Sequence, residues 1–598
     1  MSFIAGIIGL GGPLAKPKRA QFLDAFALMK KELPWPADVV ESNRSILVQA
    51  GFPHLWQGRK LLSDPRFDAA VSGIQWRKTA YSGSSLSYLA HKLTSRTYEM
   101  EDYFDYFACA VLDKEKDFFV LTTDPVGICP LLYTLSDQYI VFSNHQTFFS
   151  DLFGHDPGIN WQAVFEYLLV GHNIGDKTLQ KNVSVLPAGC RLTCHGKHPV
   201  ITRYAKPFAT GRERGVDLSH ASDIIHTHLE RKCQSYSELS NKPMAGFLSG
   251  GWDSRLLISM FDNMDNMAIT YTSQQRTRFQ DRLISEKKIA KEVADLIGVR
   301  NRFVPPVYRA YKTRDKRARV LDYTTWFHDW AFHLAEKLPY DEYMFCDGLL
   351  GDILLRGLYI TPDFHECVIN KDRDTAIRLL HSRYLRGFNI YTRGIEKWKS
   401  VIQPHLLEDF SNRLIKDITE EIYDIPDEDF LTVFLLRNRS RRGVSPLPRL
   451  IFGSKGTVVF PFCDYGFLQK VLSLPIELRL NQALYKDLLE RTRPGLSAIP
   501  STNSKDLNIL KLYLFDSMSE LSSDSQFFSK ARTKITESRN YRWYNDIIEN
   551  PPSVFMDLLT TEVKNAIRNG DIKKLKPFRL LLDKILILEG YLSPKKCN

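Results

Sequence analysis

The stretch Phe247-Leu248-Ser249-Gly250-Gly251-Trp252-Asp253-Ser254-Arg255-Leu256-Leu257 lies where an apolar segment gives way to a helical pattern. Two adjacent glycines let the backbone turn sharply there, so successive N–H groups can face an anion at the amino end of the helix. The Ser249 and Ser254 hydroxyls add donors, and the Asp253 carboxylate suits a Mg²⁺ ion that bridges phosphates. The stretch is not GxxxxGK[ST], so it does not predict the phosphate loop of kinases and GTPases. We expect a different phosphate-binding loop, between a strand and a helix.

Strands and helices alternate on both sides of this loop. A helical stretch, Ser219–Ser235, precedes the apolar strand Met244–Leu248, and the strand Met267–Thr272 and the helix Ile284–Ile297 follow it. Such alternation is typical of a parallel, doubly wound sheet. Beyond about residue 355 the apolar positions recur at helical spacing. The sequence therefore predicts an α/β domain with a helical carboxyl-terminal part over residues 215–598.

The first 205 residues have a different pattern, in which short β-rich runs are separated by turn signals such as Asp124-Pro125-Val126-Gly127. The runs are Phe3–Ile8, Tyr106–Leu112, Phe118–Thr123, Leu131–Thr134, Tyr139–Ser143 and Cys190–Cys194. This pattern predicts an antiparallel β-sandwich domain over residues 1–205. The segment Thr202–Asp217 is the expected linker to the second domain.

Composition excludes several classes of protein. The chain has 598 residues, of which 44% are hydrophobic and 25% charged, so it is neither collagen-like nor largely disordered. Its formal charge of +11 permits an anionic ligand but is too thinly spread to predict a nucleic-acid partner. No apolar run reaches the roughly 18 to 20 residues of a membrane span. The nine cysteines include no CxxC pair, and no basic residue precedes the apolar start, so we expect a cytoplasmic protein without disulfides.

The loop matches the SGGxDS sequence of the ATP pyrophosphatases, which split ATP between the α and β phosphates. Around it the chain resembles the asparagine synthetase superfamily over nearly its whole length. Phe345–Asp352 (FCDGLLGD) is similar to the second phosphate loop of that family, and Val458–Asp464 (VVFPFCD) to its VPFLD segment. In the first domain, Leu121–Tyr133 resembles the glutaminase segment ARDxxGxxPLYY, and Val185–Gly189 resembles its LPPG.

This resemblance implies a nucleotide site. It implies ATP and Mg²⁺ as cofactors, with the metal held by Asp253 and Asp352 and with catalytic roles for Asp253, Asp352 and Lys505. The residues that it implies for cofactor binding are Leu248, Ser249, Gly250, Gly251, Asp253, Ser254, Thr270, Thr272 and Gly348.

The first domain departs from the family at one decisive place. A working glutaminase of this kind exposes a cysteine after removal of the initiator methionine, and its thiol is the nucleophile. Here the second residue is Ser2, and no cysteine occurs in the first hundred residues. We expect a degenerate, inactive glutaminase-like domain of the N-terminal-nucleophile (Ntn) type over residues 1–205.

Three branches of the superfamily work without glutamine hydrolysis: ammonia-dependent asparagine synthetases, β-lactam synthetases and lasso-peptide cyclases. The β-lactam branch has a tyrosine where this chain has Leu349, and the asparagine branch has an EIFGGY-type run that Ile353-Leu354-Leu355 does not match. The sequence DGLLGD and the basic run Arg437–Arg442 look most like the lasso-peptide cyclases.

A cyclase of that branch would adenylate an Asp or Glu side chain of a precursor peptide and close a macrolactam with the peptide's own amine. Its partners would be that peptide and a leader peptidase or leader-recognition protein. The alternatives that stay open from the sequence are an ammonia-dependent asparagine synthetase or a β-lactam-type synthetase, and a catalytically dead, peptide-binding scaffold. The arginines of the basic run could also form a solvated face.

Overall fold

A computed structural model gives the architecture. It describes residues 2–32, 35–51, 61–75, 85–95, 104–153, 158–238, 241–273, 286–305, 314–325, 331–357, 360–386, 394–501 and 547–592. No helix among these residues is long and apolar enough to cross a membrane.

The strands of the described residues form three sheets. In chain order they are β1 (Phe3–Gly9), β2 (Ala37–Glu41), β3 (Ser45–Ala50), β4 (Leu61–Ser63), β5 (Phe67–Gln75), β6 (Phe104–Asp113), β7 (Phe118–Thr123), β8 (Leu132–Leu135), β9 (Tyr139–Ser143), β10 (Ser184–Val185), β11 (Cys190–His195), β12 (His198–Arg203), β13 (Met244–Phe247), β14 (Met267–Thr272), β15 (Asn301–Phe303), β16 (Met344–Cys346) and β17 (Val458–Val459).

The helices lie on and between these sheets. They are α1 (Lys16–Glu32), α2 (Ser85–Thr94), α3 (Gln146–Phe153), α4 (Trp161–Leu169), α5 (Leu218–Ser237), α6 (Trp252–Asp262), α7 (Glu286–Ile297), α8 (Arg314–Val320), α9 (Ala331–Ala335), α10 (Gly351–Leu354), α11 (Pro362–Ile369), α12 (Arg373–Arg386), α13 (Gly394–Trp398), α14 (Pro404–Ile422), α15 (Phe430–Leu435), α16 (Tyr465–Ser473), α17 (Ala483–Thr492), α18 (Thr561–Arg568), α19 (Ile572–Leu575) and α20 (Arg579–Leu592). Short 3₁₀ turns occur at Pro461–Cys463, Ile476–Gln482, Met556–Leu558 and Lys576–Phe578, and π-helical turns at Leu436–Val444 and Leu447–Phe452.

The amino-terminal part contains two six-stranded antiparallel sheets, ordered β10-β8-β9-β1-β3-β2 and β12-β11-β7-β6-β5-β4. Side chains alternate across each strand, so one face of β1 packs toward the second sheet through Ile4 and Ile8. The other face, with Phe3 and Ile7, packs on α1 and α3. Helix α2 covers the outer face of the second sheet. The result is four layers, helix–sheet–sheet–helix, and the predicted antiparallel sandwich is confirmed.

The second part contains a five-stranded, wholly parallel sheet in the order β15-β14-β13-β16-β17. The chain moves outward from β13 through β14 to β15, and then returns to the other side of β13 for β16. The order of the strands therefore reverses between the neighbouring strands β13 and β16, which makes this the switch point of the sheet. Open α/β sheets bind ligands at such a point, beyond the carboxyl ends of the strands. The predicted parallel sheet is confirmed. The proposed boundaries at residues 205 and 215 stay predictions.

The basic run joins the two parts. Arg441 donates to the carbonyl oxygens of Gly127 (3.2 Å) and Leu186 (2.6 Å), both in the amino-terminal part. Arg442 donates to two more carbonyls there, those of Gly175 (2.9 Å) and Lys177 (2.8 Å). These two arginines are 4% and 5% exposed. A solvated face is therefore wrong for them, because the wide π-helical turns point their guanidinium groups into the interface.

Loss of this contact should weaken the whole protein. Arg441→Met leaves two buried carbonyls without their donor, and hydrogen bonds from a charged donor contribute about 1.5 to 3 kcal/mol each. We expect the free energy of unfolding to fall by about 3 kcal/mol, measured as a lower urea midpoint. Arg214→Met, at an exposed arginine, is the control, and an equal effect of both substitutions would contradict the role assigned to Arg441.

Candidate active site

The phosphate loop follows β13 and is closed by hydrogen bonds within the protein. The Ser249 N–H donates to the Ser254 hydroxyl (3.1 Å), and the Gly251 N–H donates to the Ser249 hydroxyl (3.1 Å). The Gly250 N–H donates to a carboxylate oxygen of Glu286 (3.2 Å). Three loop donors thus already have acceptors, and an anion at the loop would replace some of these bonds.

Helix α6 begins directly after the loop. Its cap residue, Gly251, has an extended backbone with φ −85°, and no side chain caps the helix. The first N–H groups of a helix have no partner within the helix and carry partial positive charge, so this end favours an anion. Arg255, fully buried, holds the loop in place by donating to the carbonyls of Gly250 (3.0 Å) and Ile499 (2.6 Å).

The second loop follows β16 and lies against the first. Glycine is required at Gly348 and Gly351 because a Cβ at either position would come within 2.8 Å of Asp253 atoms. Between them Leu350 takes the left-handed backbone conformation, with φ +80°, which is uncommon for residues other than glycine. Such strain is often found at functional sites. The two loops thus interlock around the Asp253 side chain.

Asp253 is an unusual carboxylate. Burial, and then the nearby charge of Asp352, raise its pKa above the usual range, while a hydrogen bond from the Tyr485 hydroxyl (2.5 Å) lowers it. Tyr485 is itself fully buried, and burial together with Asp253 raises its pKa. Burial also raises the pKa of a third carboxyl group, Asp347, to about 6. Negative charge at this edge of the sheet is costly without a cation.

Asp352 is partly exposed, and its carboxylate lies 3.6 Å from the Arg439 guanidinium. Arg439 belongs to the basic run but, unlike Arg441 and Arg442, it points to the carboxylate cluster. The wide turn at Leu436–Val444 thus serves two purposes, since it presents one arginine to the site and the next ones to the domain interface. π-helical turns are frequent at functional sites.

Glu286 is a site residue that the sequence interpretation missed. It begins α7, and its carboxyl group is almost completely buried beside Gly250, where burial raises its pKa to about 7. Tyr485 was missed as well. Both residues come from elements distant in sequence from the loop, so no local spacing could have revealed them.

The side chains of two further predicted residues, Thr270 and Thr272, form hydrogen bonds within the protein. Asn301 donates to the hydroxyls of Thr270 and Thr272 (both 2.9 Å), and the Thr272 hydroxyl donates to the Leu248 carbonyl (2.7 Å). These contacts fix the end of β14 beside the phosphate loop. Lys505 lies outside the described residues. The cofactor-binding and catalytic assignments stay predictions.

The residues present fit a Mg²⁺ ion. Among the described residues no group of three or more His, Cys, Asp and Glu side chains is arranged as a metal cage. Mg²⁺ commonly binds proteins through only one or two carboxylates together with substrate phosphates. Asp253 and Asp352 provide two such ligands beside an uncapped helix end, and a bound cation would offset the cost of ionising Asp253.

Ser2 is placed unlike a nucleophile. It is 3% exposed, and its hydroxyl oxygen has no hydrogen-bond partner among the described residues. Its carbonyl accepts from the Ser72 hydroxyl (2.6 Å) and the Asn144 amide (2.8 Å). No other side chain that the structure describes is within hydrogen-bond distance of the hydroxyl, so the base that could activate it is the α-amino group that Ser2 itself would expose.

Comparison with known proteins gives limited matches. Residues 97–205 match a family described as a glutamine amidotransferase domain. Asparagine synthetase [glutamine-hydrolyzing] 1 of Bacillus subtilis is 23% identical over 202 residues, which are 33% of this chain and 30% of that protein. Together these matches support the resemblance to the asparagine synthetase superfamily, although the match spans less than a third of the curated relative's length. They do not address the lasso-peptide branch.

Solved structures are more distant. The glutamine phosphoribosylpyrophosphate amidotransferase of B. subtilis, complexed with ADP and GMP, is 10% identical with a TM-score of 0.22 over 41% of this chain and 60% of its own. The NH3-dependent NAD synthetase of Campylobacter jejuni, in complex with nitrate, is 13% identical with a TM-score of 0.17 over 34% of this chain and 96% of its own. Scores this low carry no argument about this chain.

The raised pKa of Asp253 gives a stability prediction. Ionising this carboxyl group destabilises the folded protein at pH values above its ordinary pKa of 3.8. Asp253→Asn removes that cost and keeps an oxygen to accept from Tyr485. We expect the variant to have a higher thermal midpoint than the parent at pH 8, with a gain that shrinks as the pH falls toward 4. Asp409→Asn, on an exposed helix face, is the control; a lower midpoint at pH 8 for Asp253→Asn would contradict the assignment.

Proposed function

We propose that this chain is an ATP-dependent, AMP-forming carbon–nitrogen ligase that closes a macrolactam in a precursor peptide. The observation that carries the ligase assignment is the meeting of the SGGWDS loop, the uncapped start of α6 and two carboxylates at the switch point of a parallel sheet. The DGLLGD loop and the basic run of the sequence favour the lasso-peptide branch. The amino-terminal domain is then a degenerate glutaminase-like domain, in line with the buried Ser2.

The reaction begins at a carboxylate of the peptide, which must gain a leaving group before an amine can attack it. The carboxylate attacks the α-phosphate of ATP, pyrophosphate leaves, and the peptide's amine displaces AMP from the acyl-AMP. Mg²⁺, when bound, offsets the charge that develops on the phosphates. Asp253 and Asp352 would hold the metal, and the start of α6 would receive the pyrophosphate. Holding both peptide ends together can contribute on the order of 7 to 11 kcal/mol.

Loss of either carboxylate should stop the reaction. Asp253→Asn and Asp352→Asn keep the side-chain shape but remove the charge that a metal needs, so ring closure should fall below detection in both. The assay measures AMP, pyrophosphate and peptide mass, and we expect a loss of one water from the peptide with its amine blocked. Asp409→Asn should retain activity. ADP as a product, or full activity of Asp253→Asn, would contradict the mechanism.

The same assay separates the alternatives. Ammonia-dependent asparagine synthesis is favoured by the match to a protein named asparagine synthetase, and it would appear as asparagine made from aspartate, ammonia and ATP. A dead scaffold would bind peptide without releasing pyrophosphate. Ser2→Ala should leave ligation unchanged, because the proposal assigns no chemistry to the first domain.

Glu286 should affect nucleotide binding in a pH-dependent way. Its carboxyl group accepts from the Gly250 N–H, and its pKa is raised to about 7. At pH 8 its negative charge repels the pyrophosphate part of ATP, whereas at pH 6 it is mostly neutral. We expect Glu286→Gln to lower the KM for ATP severalfold at pH 8 and to change it little at pH 6. An equal change at both pH values would show that charge is not the cause.

A further inference from the structure

A small pocket lies between the two parts of the molecule, separate from the phosphate loop. Its apolar wall is formed by Pro130, Leu132 and Val185 of the amino-terminal part. The rest of the lining is polar: Asp322, Thr324 and three arginines, Arg441, Arg442 and Arg449. The space measures about 20 Å³, which is enough for one particle the size of a water molecule.

Arg449 is the unexplained residue of this pocket. It is 3% exposed, and its buried Nε has no hydrogen-bond partner among the described residues. No carboxylate oxygen of the described residues lies within 4.0 Å of it. Burial lowers its pKa, yet arginine keeps its proton at neutral pH. A buried charge without a partner is costly, so proteins almost always pair it.

The neighbouring groups are already engaged. Arg441 and Arg442 use their donors on the interdomain carbonyls described above. The Asp322 carboxylate accepts from the N–H groups of Gln146 (2.7 Å) and Thr147 (2.8 Å) and from the Thr147 hydroxyl (2.8 Å), which caps the start of α3. Three guanidinium groups therefore line the pocket with one carboxylate, since main-chain carbonyls carry no counter-charge for Arg441 and Arg442. Against the burial that lowers the pKa of Arg449, the charge of Asp322 raises it, but no ion pair joins the two side chains.

We infer that Arg449 binds a single small monovalent anion, of the size of chloride, between the two domains. The charge argues for a monovalent ion, because the three guanidinium groups outnumber the one carboxylate, and that carboxylate, Asp322, repels a dianion such as phosphate more strongly than a monovalent ion. The volume argues for a monatomic ion, because a carboxylate with its carbon skeleton exceeds the space of one water molecule.

This anion would strengthen the domain interface. Arg449 lies in the second π-helical turn, and Arg441 and Arg442 lie at the end of the first. An anion that neutralises Arg449 lowers the repulsion among the three arginines, so the contacts of Arg441 and Arg442 become more favourable. The inference is independent of the reaction proposed above and has a readout that needs no substrate.

The test is thermal unfolding of the full chain in sodium gluconate, with chloride substituted for gluconate at constant ionic strength. We expect the midpoint to rise by several degrees and to saturate, since a ligand that binds only the folded state stabilises it by mass action. Arg449→Met should lose the saturable rise, and in gluconate alone it should be at least as stable as the parent, because the uncompensated charge is gone. Arg214→Met should respond to chloride like the parent.

Further measurements distinguish chloride from other anions and from water at this site. Acetate and phosphate are titrated in the same way, and a larger saturable rise with either would overturn the assignment to a chloride-sized ion. An equal chloride response in the parent and Arg449→Met would overturn the site. If Arg449→Met does not fold, Arg449→Lys replaces it and should show a weaker but saturable rise. In crystals grown with bromide, an anomalous peak beside the Arg449 guanidinium supports the site, and only water there contradicts it.

Discussion

The close approach of Asp253 to the glycines of the second loop is the constraint on which the site depends. No Cβ fits at Gly348 or Gly351, so the two loops can approach this closely only because these two residues have no side chains. The contact brings Asp352 close enough to raise the pKa of Asp253, and it places Asp347 nearby. The carboxylates are therefore held together before any ligand arrives, and the protein bears the electrostatic cost in advance. Carboxylates held together in this way are suited to binding a divalent cation.

A second dependence runs through the π-helical turns. The segment Leu436–Val444 sends Arg439 to Asp352 and Arg441 and Arg442 to the amino-terminal part. A regular α-helix would repeat every 3.6 residues and would direct these side chains differently. The first domain, which lacks a recognisable nucleophile arrangement at Ser2, thereby gains a structural role, because it receives the donors that anchor the segment next to the site.

Many of the strands and the phosphate loop could be predicted from the sequence, and the elements and contacts that were missed were missed for physical reasons. The strand Met267–Thr272 was predicted with the bounds observed, because an apolar run between turn signals has a strong local pattern. The strands Ser45–Ala50 and Phe67–Gln75 were not predicted, since their burial is set by partners far along the chain. The approach of Tyr485 to Asp253 joins residues 232 positions apart. The basic run could be recognised in the sequence by its charge. Its burial could not be predicted, because it depends on a wide π-helical turn that has no periodic sequence pattern.

Across the interface, the hydrogen bonds of the anchoring arginines go to main-chain oxygens: those of Gly127, Leu186, Gly175 and Lys177. Every residue has a carbonyl oxygen, whatever its side chain. These hydrogen bonds therefore depend on the path of the backbone more than on the identity of the side chains. The side chains around these carbonyls can therefore differ without removal of the acceptors, except at Gly127, where a Cβ would lie 2.7 Å from Arg441 Nε. Such an arrangement makes the domain a replaceable module, one that could lose an old chemistry without losing its place in the molecule.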